Sequence, residues 1–195
     1  MNRVFDILLL LIILPLVVPV FLIIFLFAKI FHGSNVFFFQ DRLGKGKRTF
    51  SLVKFRSMIN GAQYMGTGLY SYADDKRITT FGKFLRTTSL DELPQLINIL
   101  KGDMSFVGPR PAVVGELEAE QGLPSNADDR FLLKPGLTGW AQIHGRDNLT
   151  WRQKIQYDIE FVQAKPIEKA FMVIYILCFT PVYLFNFSST YEKRK

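Results

Sequence analysis

Two adjacent carboxylates, Asp91 and Glu92, open the stretch 88-TSLDELPQLINILKGDMSFVGPRP-111. Cations keep them company: Arg86 one helical turn upstream, Arg110 between Pro109 and Pro111, and Lys54 and Arg56 at the end of an apolar segment. A guanidinium held between two prolines suits bidentate phosphate binding. A carboxylate set among phosphate-binding cations has two chemistries open to it: holding Mg²⁺, or attacking phosphorus itself. The competing reading is architectural. Acids are favoured at helix N-termini by the macrodipole, Ser89-x-x-Glu92 has the form of a capping box, and a single arginine is by default a solvated surface charge.

The elements that must position these residues follow from periodicity. In 35-NVFFFQDRLGKGKRTFSLVKFRSM-58 two apolar, β-prone runs flank Gly44-Lys45-Gly46-Lys47, which predicts a β-hairpin. Residues 60–76 lack a period and read as loop, and 81–87 as helix. Leu93, Leu96, Ile97 and Leu100 fall at i, i+3, i+4 and i+7, one apolar helix face that Gly102 terminates. Pro94 is tolerated only where no helical amide is needed, so this helix starts near 90–92 with Asp91 and Glu92 at its cap or first turn. Downstream, 116–121 reads as a short helix, 134–145 as a glycine-rich loop and 149–164 as helix. Gly136, Gly139 and Gly145 serve turn geometry, Asp103 braces its loop, and His144 is a satisfied polar residue rather than a base.

Composition narrows the partners. Among 195 residues, 24 are basic and 17 acidic, a formal charge of +7 that suits a phosphorylated substrate, a phospholipid surface or nucleic acid. The single cysteine, Cys178, excludes an internal disulfide or a CxxC metal site, and His32 and His144 are too few for a histidine-rich zinc site.

Residues 7–28 carry no charge and no polar side chain, enough to cross a bilayer. No small-x-small cleavage site follows, so the segment reads as a retained anchor. Pro15 and Pro19 split it into two apolar pieces and predict a kink. Spanning and re-entry through one leaflet are both open on these grounds. The apolar tail, 170–187, is broken at Thr180-Pro181 and ends in Glu192-Lys193-Arg194-Lys195. It reads as a membrane-surface segment, with a buried core helix as the alternative.

These residues carry a resemblance. The stretch 88–111, Arg3-x-x-Asp6 before the apolar run, the hairpin block 36–58 and 135-PGLTGWAQIHGRDN-148 are similar to the bacterial sugar transferases, the small monotopic phosphoglycosyl transferases. The resemblance implies transfer of a sugar-1-phosphate from a UDP-sugar to undecaprenyl phosphate with release of UMP, using Mg²⁺, as a first membrane step of bacterial glycan assembly. It implies that Asp91 is the nucleophile, forming an aspartyl phosphosugar by ping-pong kinetics, and a ligand of the metal. Glu92 then activates the lipid phosphate or orients the metal. Arg86 and Arg110 contact the diphosphate, followed by Lys54, Arg56, Gln142 and Arg146.

The fold so implied is α+β and mostly helical. A kinked re-entrant helix (1–30) anchors a catalytic domain (31–168) on the cytoplasmic face of the inner membrane, and an apolar surface segment with its basic tail (169–195) follows. Relatives place a Ser-Pro pair where this chain has Val18-Pro19, so the kink rests on the prolines alone, and Ser57 replaces a threonine common in the family. The rival reading is a membrane-tethered basic module for anionic lipid or nucleic acid. Most of the phenylalanines that would suit it lie in apolar runs and no recognised binding motif appears, so membrane lipid and the two phosphorylated substrates are the expected partners and nucleic acid is not.

Overall fold

The computed structural model describes residues 2–66 and 75–186. Its frame is one long apolar helix, a hairpin and a group of short helices, a mostly helical α+β arrangement. Helix α1 covers Arg3–His32, capped by Asn2, whose side chain accepts from the Val4 amide at 3.1 Å. Its 30 residues give a length of about 45 Å at ~1.5 Å per residue. Pro15 and Pro19 lie inside it and do not end it.

Both ends of α1 pack on the same body of the protein. Near the N-terminus the Arg3 guanidinium donates to the carbonyls of Ile99 and Leu100, closing off the last turn of another helix. The buried Asp6 carboxylate accepts from Ser105 Oγ at 2.8 Å and the Phe106 amide at 3.1 Å. Near the C-terminus Ile24 and Ala28 are buried with Val36, Phe55 and Leu85, and Phe31 stacks on Phe81 with ring centroids 5.0 Å apart. Between these anchor points Leu11, Ile12, Leu16 and Leu22 are exposed. By length and composition α1 is able to cross a membrane, and this uncovered apolar surface makes the protein membrane-associated.

Strands β1 (Phe37–Leu43) and β2 (Thr49–Phe55) pair antiparallel from Phe37↔Phe55 to Leu43↔Thr49, the hairpin that the two β-prone runs predicted. Gly46 supplies a positive φ of 63° in the connecting turn. Helix α2 covers Thr80–Thr87, and α3 covers Gln95–Lys101 and ends at Gly102, which is left-handed at φ 91°. Strand β3 (Ser105–Val107) pairs parallel with β4 (Gly136–Thr138). Three helices follow: α4 (Trp140–Ile143), α5 (Trp151–Gln163) and α6 (Pro166–Asn186). Thr150 and Gln153 form a full capping box at the start of α5.

Several expectations are corrected. Residues 134–145 are not loop: they hold β4 and α4, too short for periodicity to register and stabilised by pairing with distant β3. Gly136 and Gly139 serve close packing rather than turns, since a Cβ on either would overlap the Gly108 backbone. No helix forms at 116–121. Gly115 is left-handed at φ 83°, and the Glu116 carboxylate turns back to accept from the Val113 amide at 2.8 Å. Helix α6 is not broken at Thr180-Pro181. Thr180 Oγ1 donates to the Ile176 carbonyl at 2.7 Å and meets Thr138 Oγ1 on β4 at 2.7 Å, anchoring the turn that the proline weakens. On α3 the inward face is Gln95, Asn98 and Ile99, whereas Ile97 and Leu100 are exposed. The basic end Glu192–Lys195 and residues 67–74 of the expected loop lie outside the described residues.

Candidate active site

Helix α2 stops at Thr88, and Ser89 reverses the chain in the left-handed region at φ 55°. A single 3₁₀ turn, Leu90–Glu92, then leads through Pro94 into α3. Asp91 and Glu92 are each only 8% exposed. The capping box suggested by Ser89-x-x-Glu92 does not form, because Ser89 makes no side-chain cap bond and the Glu92 carboxylate is used elsewhere.

Glu92 Oε1 gathers three cations from three segments. Lys54 Nζ on β2 donates at 3.0 Å, Arg110 Nη2 at 3.2 Å, and Arg146 Nη2 lies at 3.5 Å. Burial disfavours the Glu92 charge, yet Lys54, Arg110 and Arg146 together outweigh it and hold the carboxyl well below its usual range. Asp91 behaves in the opposite way. Its nearest cation is Lys54 at 4.0 Å, and it accepts no hydrogen bond among the described residues. Burial pushes its carboxyl up, with Lys54, Arg86 and Arg146 opposing and Glu92 adding to the rise.

This geometry is built from afar. Asn98, fully buried on α3, accepts from the Val53 amide at 3.1 Å and donates to the Ser51 carbonyl at 2.8 Å, so β2 presents Lys54 to the carboxylate pair. Arg86 Nε donates to Ser57 Oγ at 2.8 Å, while Gly82 lets α2 lie directly on the Ser57 carbonyl. The hydroxyl retained at Ser57 thus has a structural partner.

The Pro109–Pro111 loop is held on both sides. Arg42 Nη1 on β1 donates to the Pro111 carbonyl at 2.9 Å, and Arg130 Nη2 donates to the Arg110 carbonyl at 2.7 Å. Arg130 is itself balanced by Asp158 on α5 at 2.8 Å, both side chains being 2% exposed. Burial raises the Asp158 carboxyl to about 6 against that pairing.

Arg42, Asn98, Arg130 and Asp158 were not singled out from sequence. Arg42 had a signal: strand alternation and the hairpin register put it on the same face as Lys54. Its pKa is lowered to about 10 by burial and then by Arg110, so it is still cationic at neutral pH. Arg130 and Asp158 meet only through the fold, and no local pattern marks them.

Of the expected site residues, Asp91, Glu92, Lys54, Arg110 and Arg146 come together, with Arg86 close enough to act on Asp91. Arg56 is not drawn in: Nη2 donates to the Phe37 carbonyl at 3.4 Å. Gln142 is buried in α4 against Gly139, and its amide makes no hydrogen bond among the described residues. His144 bonds the Trp140 carbonyl at 2.8 Å and stacks on Tyr157, as a satisfied polar residue does.

No group of three or more His, Cys, Asp or Glu gathers among the described residues. Magnesium commonly takes one or two carboxylates and completes its shell with substrate phosphates and water. The Asp91 carboxylate, with no hydrogen-bond donor on it among the described residues, fits that kind of partial site.

Residues 1–186 match the family model described as bacterial sugar transferase. The chain belongs to the bacterial sugar transferase family. This transferase is 41% identical over 148 residues to the "Uncharacterized sugar transferase EpsL" of Bacillus subtilis, covering 76% of this chain and 69% of that protein. It is 36% identical over 176 residues to the "Exopolysaccharide production protein ExoY" of Sinorhizobium fredii, covering 83% and 76%. It is 41% identical over 150 residues to the "UDP-glucose:undecaprenyl-phosphate glucose-1-phosphate transferase" of Xanthomonas campestris pv. campestris. That match covers 74% of this sugar transferase but 31% of the longer relative.

Proposed function

We propose that this enzyme transfers a sugar-1-phosphate from a UDP-sugar to undecaprenyl phosphate through a covalent intermediate on Asp91. One observation carries the reading: of two neighbouring buried carboxylates, Glu92 is engaged by three cations and Asp91 by one distant ion pair. A nucleophile needs accessible lone pairs, and the phosphate it attacks needs cations near by. Asp91 accepts no hydrogen bond among the described residues, and the cations that engage Glu92 stand beside it.

In the first half-reaction an Asp91 carboxylate oxygen attacks the sugar-bearing phosphorus. A new oxygen–phosphorus bond forms, the bond to the bridging oxygen breaks, and its electron pair leaves with UMP. Arg110, Arg86 and Arg146 offset charge on the diphosphate, and Lys54 holds the carboxylate pair in place. In the second half-reaction a phosphate oxygen of the lipid attacks the same phosphorus. The bond to Asp91 breaks and the carboxylate is regenerated, leaving a lipid diphosphosugar. Glu92 stays ionised throughout and orients the cations. Asp91 would hold a magnesium ion, which would supply charge neutralisation when bound. Splitting the transfer lets one small site serve a soluble donor and then a lipid acceptor.

Residues 1–30 act as a re-entrant anchor, 31–168 as a catalytic domain on the cytoplasmic face of the inner membrane, and 169–195 as a membrane-surface segment. Re-entry is supported by the packing of both ends of α1 on one body. A straight crossing would carry Asp6 and Ala28 to opposite sides of a ~30 Å apolar layer.

The test is intact-mass analysis of the enzyme incubated with Mg²⁺ and a panel of UDP-sugars, without lipid acceptor. Addition of one phosphosugar to Asp91, with equimolar UMP, is expected; UMP release dependent on lipid but without the adduct would sink the covalent route.

A further inference from the structure

Ser89 and Arg146 occupy the left-handed region, at φ 55° and 49°. Apart from Lys47 in the hairpin turn, no other non-glycine among the described residues does so. Side chains are strained there, and such strain persists only where the surrounding structure enforces it. The two residues lie 57 positions apart and meet in the fold: Arg146 Nη1 donates to Ser89 Oγ at 3.2 Å. The other terminal nitrogen, Nη2, faces Glu92 Oε1. The contact therefore bridges the turn that carries Asp91 and the segment that follows α4.

The serine hydroxyl has no capping bond to explain it, since the side chain does not bond the 3₁₀ turn it precedes. Glycine would take the same backbone without strain. What glycine lacks is the hydroxyl that receives Arg146. Serine at this position thus gives up local stability for a specific side-chain contact beside the carboxylate pair.

We propose that Ser89 is a positioning residue for the phosphosugar transfer: its left-handed backbone aims the hydroxyl at Arg146, and that bond holds the guanidinium where the donor diphosphate must be neutralised. This inference rests on the role assigned to Asp91 above. It places no part of Ser89 on the substrate.

The experiment compares Ser89→Gly and Ser89→Ala in the detergent-solubilised full chain. It measures thermal unfolding, and UMP release with UDP-glucose, UDP-galactose and their N-acetylamino forms in the presence of undecaprenyl phosphate. Both variants lose the hydroxyl, so both are expected to lose turnover by about 10- to 100-fold, the scale of a ~1 Å misplacement. Stability separates them: Ser89→Gly melts at or above wild type, whereas Ser89→Ala melts below Ser89→Gly by about 2–4 °C. On an Arg146→Ala background, Ser89→Gly costs no further turnover, because the contact is already gone. Full turnover in Ser89→Gly, or losses that simply follow melting temperature, overturn the positioning role while leaving Asp91 chemistry intact. Wild-type enzyme that releases no UMP from any of the donors overturns the transfer reading itself, and this inference with it.

Discussion

Asp91 and Glu92 are neighbours in the chain, but Lys54 Nζ stands 3.0 Å from the Glu92 carboxylate and 4.0 Å from that of Asp91. That 1 Å difference, together with the Arg110 and Arg146 ion pairs to Glu92, leaves Glu92 the more closely engaged carboxylate and, under the proposed mechanism, Asp91 the one available for chemistry. Two acids held in such different surroundings are a recurrent way of separating roles within one site.

Replacing Asp91 tests this division directly. Asp91→Asn is expected to lower turnover by at least ~10³-fold, as removal of a nucleophile does. Stability should move the other way. The Asp91 carboxyl is raised by burial, so its contribution to folding is present at low pH and lost as pH rises through the folded-state value. The asparagine variant therefore melts no lower than wild type at pH 7–8, and the gap closes as pH falls. Thermal unfolding beside UMP release across pH checks both parts, and substantial residual turnover would refute the nucleophile.

The pH profile of the wild-type enzyme follows from the same pair. Attack needs ionised Asp91, so kcat/KM should fall about tenfold per pH unit on an acid limb above the ordinary carboxylate range. Glu92, held low by its three cations, contributes stability above its unfolded-state value and loses it only at much lower pH. Activity is thus expected to disappear while the protein remains folded. A limb coinciding with unfolding, or one within or below the ordinary carboxylate range, would contradict this ordering.

The Arg110 side chain reaches Glu92 while its backbone carbonyl is held by Arg130. Its side chain is 27% exposed, so Arg110→Ala should cost stability about 1 kcal/mol or less. The loss in kcat/KM for the UDP-sugar should reach about 10²-fold, the scale for deleting one charge-stabilising donor. Arg110→Lys is expected to recover little, because a point charge does not replace a bidentate fork. A variant that unfolds before it loses donor use would remove Arg110 from the phosphate site.

The β3–β4 junction should tolerate no side chain. Gly136→Ala and Gly139→Ala each drive a methyl into the Gly108 backbone, an overpacking expected to cost about 3 kcal/mol or more. Gly46→Ala meets nothing nearby and pays only for its left-handed φ, about 1 kcal/mol. Soluble yield and melting temperature of the three variants separate the cases, and equal losses would disprove the close approach.

Topology is open to labelling. With the exposed Cys178 replaced by serine, a cysteine at position 2 should resist a membrane-impermeant thiol reagent added from the periplasmic side. The packing of Arg3 and Asp6 on α3 and β3 supports this outcome. Robust labelling from outside would mean that α1 crosses the bilayer.

What the sequence by itself determined is what local order encodes. The apolar run gave α1, two β-prone runs around Gly44–Lys47 gave the hairpin, and residue type with spacing marked Asp91, Glu92, Arg86 and Arg110. These signals are legible because helix and strand periods depend on neighbours a few residues away. What only the tertiary structure decided lies in contacts between distant segments. Arg146 reaching Ser89, Arg130 gripping the Arg110 carbonyl, Asn98 tying α3 to β2 and Gly108 meeting Gly136 each join partners that no period relates. The same holds for the inward face of α3, where buried Gln95 and Asn98 replace the apolar face that spacing suggested. Which carboxylate the cations engage most closely was decided there too, because charge energies depend on distances and burial that chain order does not specify.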